Sequence, residues 1–64
     1  MLNIGDKVKI NPTTIPDYFD EESNPLGSIG SVIEVHDKDE FNIHVDFGGN
    51  VVNSYNENHL VPQG

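Results

Sequence analysis

The side chains able to do chemistry fall into two groups. Asp17, Asp20, Glu21 and Glu22 place four carboxylates within six residues, oxygen chemistry that suits Ca²⁺ or Mg²⁺. The run lacks the glycine and the ligand spacing of a calcium-binding loop, so no metal is expected there. His36 and His44 belong to consecutive predicted strands, with Glu34 and Asp46 near them in sequence. Such a set could hold zinc weakly. No close-spaced ligand motif accompanies it, so the expectation is a solvated sheet face with Glu34 beside His44.

Nucleophilic chemistry has less to work with. There is no Cys and no G-x-S-x-G turn to expose a serine. Gly48-Gly49 reads as a hairpin turn, because no strand–glycine loop–helix unit surrounds it to cradle a phosphate. No catalytic residue, cofactor or metal is expected.

The acidic run also carries Tyr18 and Phe19. Two large aromatics among carboxylates make a plausible anchor for a partner, with the acids steering a basic surface toward them. The expected partner-binding set is therefore Asp17, Tyr18, Phe19, Asp20, Glu21 and Glu22. The competing use of these rings is structural: one of them folds back to cap a small core that needs every aromatic it has.

Length and charge narrow the field. Sixty-four residues make a single domain, 1–64, with no room for a deep substrate cleft. Three Lys against eleven Asp plus Glu give a net charge of −8, and Arg is absent. Nucleic acids and anionic membrane surfaces are disfavoured as partners, and a basic protein is favoured. Acidity can also serve solubility alone. The absence of Cys fits a cytoplasmic protein, no apolar run spans a bilayer, and no signal peptide is visible at residues 1–6.

Thirteen Val plus Ile and no Ala read as β rather than α. Alternation predicts a strand at 6–10 with Val8 and Ile10 inward, ended by Pro12. Residues 11–28 hold three prolines and form a long loop. A second strand spans 28–36, and Gly30 within it suggests a bulge or bend. Residues 41–47 alternate cleanly, with Phe41, Ile43, Val45 and Phe47 apolar. A fourth strand covers 50–55, a single helical turn 56–59, and a short last strand 60–62.

Register follows from keeping apolar positions on one face. Val35 is expected opposite Ile43 and Ile33 opposite Val45, which sets Glu34 opposite His44 and His36 opposite Asn42. The expected core is Val8, Ile10, Ile33, Val35, Ile43, Val45 and Leu60. Five short antiparallel strands, a long first loop and a one-turn helix before the last strand give an all-β chain, a small SH3-like barrel.

The order Ile4-Gly5-Asp6-Lys7-Val8, Gly30-Ser31-Val32-Ile33-Glu34-Val35, Val45-Asp46-Phe47-Gly48-Gly49, Tyr55 and His59-Leu60-Val61 resembles the layout of small SH3-like barrels. These include KOW-type domains, Mind-bomb-type domains of ubiquitin ligases, and accessory barrels of ferredoxin–thioredoxin reductase and photosystem I. The resemblance covers nearly the whole chain. It implies a scaffold for protein contact, such as an adaptor or an accessory subunit of a redox complex. A small regulator of phage or bacterial kind is a separate expectation, by analogy with other very short acidic chains. The KOW branch of the resemblance implies RNA or a transcription or ribosomal complex as partner, which the missing Arg and the net charge oppose.

Overall fold

The structure, a computed structural model, describes residues 2–63. Five strands form one antiparallel sheet: β1 (Lys7–Ile10), β2 (Gly30–Val35), β3 (Ile43–Asp46), β4 (Val52–Tyr55) and β5 (Leu60–Pro62). Their order is β4-β3-β2-β1-β5. A single 3-10 turn, Glu57–His59, joins β4 to β5. The all-β class, the strand number and that turn agree with the sequence expectation, and the body is small and barrel-like, 25 × 22 × 22 Å.

Alternation explains the elements. Val8 and Ile10 of β1, and Ile43 and Val45 of β3, are buried, while their neighbours face outward. The 3-10 turn is capped by Asn56, whose side chain accepts the Asn58 N–H at 3.1 Å. Its reciprocal partner is His59, whose Nδ1 accepts the Asn56 N–H at 3.2 Å, so two otherwise unpaired donors are satisfied. His59 is thereby buried and structural.

The register departs from expectation at one place. Val35 pairs with Ile43 and Glu34 with His44, as the alternation requires, but Val45 faces Val32 and not Ile33. A bulge between Val32 and Glu34 sets two residues against one and reverses the parity of the strand. Val32 therefore enters the core at 1% exposure and Ile33 turns outward at 40%. The core is Leu2, Val8, Ile10, Val32, Ile43, Val45, Tyr55 and Leu60, with Ile15, Phe19, Val35 and Phe47 packed on it.

The bulge expected in this strand is present, but between Val32 and Glu34 and not at Gly30, which serves close packing. A side chain there would run into the Val45 side chain and sit 2.8 Å from the Phe47 ring. Only a residue without Cβ lets β2 approach β3 this closely.

Candidate functional site

Residues 11–29 run between β1 and β2, and local side chains fold this length of chain. The Asn11 side chain accepts the Thr13 N–H at 3.0 Å, and the Asn11 carbonyl accepts the Ile15 N–H at 3.1 Å. Further on, the Asn24 N–H donates to the Asp20 carbonyl at 2.9 Å. Three side-chain bonds fasten the loop to the barrel: Thr14 Oγ1 to the Asn58 carbonyl, Asn53 Nδ2 to the Ser23 carbonyl, and Tyr55 Oη to Asn24 Oδ1.

The two aromatics divide the work that sequence could not apportion. Phe19 is half-buried against the core, its ring 5.9 Å from Phe41, 6.0 Å from Tyr55 and 6.0 Å from His59. Tyr18 is 76% exposed and leans edge-on against Phe19 at 5.0 Å. One ring caps the barrel end and holds the other in solvent.

The carboxylates of Asp17, Asp20, Glu21 and Glu22, which flank this pair in sequence, are all exposed. Asp20 accepts the Ser23 hydroxyl at 3.2 Å, a local tie that keeps the loop turned. Among the described residues none of the four has a cationic partner; Lys7 spends its ammonium on the Ser31 hydroxyl at 2.6 Å. The loop therefore presents uncompensated negative charge. A shallow hollow adjoins it, lined by Glu22, Ser23, Asn50, Val51, Val52 and Asn53. The sequence did not single out that hollow, because it forms only where the middle of the loop meets the β3–β4 turn and the start of β4.

A second cluster lies elsewhere on the surface. Glu34 Oε2 is 3.0 Å from His36 Nε2 and 3.4 Å from His44 Nδ1. The expected Glu34–His44 pairing is present, and His36 joins it. Asp46 stays out: its Oδ1 accepts the Gly48 N–H at 2.7 Å and closes the β3–β4 turn.

Comparison with protein-family models, with curated proteins and with solved structures yields no match for this chain. No helix among the described residues is long and apolar enough to cross a membrane.

Proposed function

We propose that this chain is a non-enzymatic protein-interaction module of the cytoplasm, an adaptor, accessory subunit or regulator. It takes a basic segment of a partner protein on the loop between β1 and β2. The observation that carries this reading is Tyr18, held in water by a docked neighbour, in a run with four exposed carboxylates that have no cationic partner among the described residues. A large exposed aromatic whose neighbour is already fixed loses little freedom on binding. It is the kind of side chain that anchors an interface.

Charge sets the partner's chemistry. Asp17, Asp20, Glu21 and Glu22 attract Lys and Arg side chains and accelerate encounter with them. The hollow beside Glu22 offers Val52, half exposed, to the aliphatic stem of a bound Lys or Arg. A net charge of −8 repels phosphate backbones, so the partner in this reading is protein and not RNA.

The test is affinity capture from extract of the native host, using the full chain beside Tyr18→Ala and a triple Asp20→Lys, Glu21→Lys, Glu22→Lys variant. A basic protein held by the unaltered chain and released by salt, lost from Tyr18→Ala and recovered in reduced amount by the triple variant, is the expected result. Capture of RNA, or a partner that both variants retain as well as the unaltered chain does, overturns the reading.

A further inference from the structure

We propose that Glu34, His36 and His44 form a Zn²⁺ site on the β2–β3 hairpin, with one coordination position open to solvent. The hairpin assembles the donors. Glu34 and His36 are two residues apart and so project from the same face. His44 is the direct cross-strand partner of Glu34. The His36 N–H donates to the Asn42 carbonyl at 2.8 Å, which extends the pairing to this residue just beyond β2. The three donors therefore ride on paired backbone and not on a free loop.

The distances suit a metal. One ligand atom from each residue lies within 4.8 Å of the others. Bond lengths near 2.0–2.2 Å in a tetrahedral site put donors roughly 3.3 Å apart. The carboxylate oxygen is already 3.0 Å from one imidazole and 3.4 Å from the other. The two rings, 4.8 Å apart between centroids and inclined at 48°, must turn to bring their nitrogens to the same spacing when zinc binds.

Donor type selects the ion. Two imidazoles and one carboxylate suit zinc, whereas Ca²⁺ and Mg²⁺ seek all-oxygen shells. Three protein ligands leave a fourth position, and all three side chains are open enough to water for a small ligand to reach it. Asp46 is held by the Gly48 N–H and does not fill it. The negative charge of the whole molecule adds a general attraction for a cation.

The experiment titrates the full chain with ZnCl₂, followed by calorimetry and by imidazole NMR signals. One equivalent of zinc is expected, with the His36 and His44 ring signals moving and those of buried His59 still. The melting temperature rises with zinc, as it must for an ion that binds only the folded hairpin. Glu34→Gln, His36→Gln and His44→Gln each weaken binding about tenfold or more, given that even outer-shell changes at metal sites cost 10–100-fold. A Glu21→Gln/Glu22→Gln chain binds as before, and MgCl₂ moves neither ring. Circular dichroism of each variant shows that the barrel is intact, since none of these side chains is in the core. Unmoved His36 and His44 signals, zinc binding that survives His36→Gln/His44→Gln together, or loss of binding in the Glu21/Glu22 variant overturns the site.

Discussion

The Tyr55 hydroxyl donates to Asn24 Oδ1 at 2.7 Å, joining the end of β4 to the far part of the long loop across 31 residues of sequence. The Tyr55 ring is wholly buried, so its phenol is the one polar tip that core residue extends toward the loop. Phe19 packs on the same ring at 6.0 Å. Tyr55 thus ties the loop to the core by both a hydrogen bond and an aromatic contact.

Alkaline pH should loosen that tie. Burial pushes the Tyr55 phenol up from 10.0 to about 12. The unfolded chain gives up this proton near pH 10, while the folded chain keeps it until about pH 12. The contribution to stability is full below pH 10 and is lost as the pH rises from 10 to 12, by about 2–3 kcal/mol. Urea unfolding between pH 8 and 12 measures it. Tyr55→Phe should be less stable at pH 8 by about 1–3 kcal/mol, because Asn24 loses its donor. It should lack this share of the alkaline loss; an equal loss in both proteins would refute the assignment.

The bulge in β2 makes a paired prediction. Ile43→Ala removes a fully buried side chain and should cost about 2–5 kcal/mol, enough to unfold much of so small a domain. Ile33→Ala, on the outward side of the bulge, should cost no more than about 1 kcal/mol. Chemical denaturation midpoints compare them, and similar costs at the two positions would contradict the register.

Gly30→Ala should destabilise by about 1–3 kcal/mol, since the new methyl group meets Val45 and the Phe47 ring. Measured against Phe47→Leu alone, the cost of Gly30→Ala should shrink only in part, because the ring contact is relieved while the Val45 side chain stays the nearest obstacle. Thermal melts of the two single variants and the double variant give the answer, and an unchanged or larger cost of Gly30→Ala in the Phe47→Leu background would contradict the close approach.

How far the sequence could be read depended on local parity. β3 was legible because Ile43 and Val45 alternate with His44 and Asp46 without interruption. β2 was legible at Val35 and Glu34, where pairing with β3 is regular, and misread at Ile33, where an extra residue reverses the faces. Val-Ile-Glu-Val offers two apolar neighbours with nothing local to say which turns inward. The loop had no period at all, so Tyr18 and Phe19 were equivalent candidates until Phe41, Tyr55 and His59 were brought around one of them. Tyr55 and Leu2 entered the core through contacts far apart in sequence. The Leu2 N–H, for example, donates to Glu57 Oε1 at 2.7 Å.

Charge reversal at Asp20, Glu21 and Glu22 should act on association. With a basic partner in hand, the triple Lys variant is expected to bind more slowly and to show a weaker salt dependence, with dissociation little altered. Stopped-flow or surface-based kinetics separate the two rates. A change confined to dissociation would mean that these carboxylates make buried contacts instead of steering.

The division of labour between the adjacent rings is the most direct test of the proposed interface. Tyr18→Ala and Phe19→Ala are each to be melted and assayed against the captured partner. Tyr18→Ala is expected to stay within about 0.5 kcal/mol of the unaltered chain and to lose the partner. Phe19→Ala is expected to lose about 1–3 kcal/mol of stability, since its half-buried ring caps the core. A Tyr18→Ala chain that melts normally and still binds as tightly as the unaltered protein would contradict the role of this loop as the binding surface.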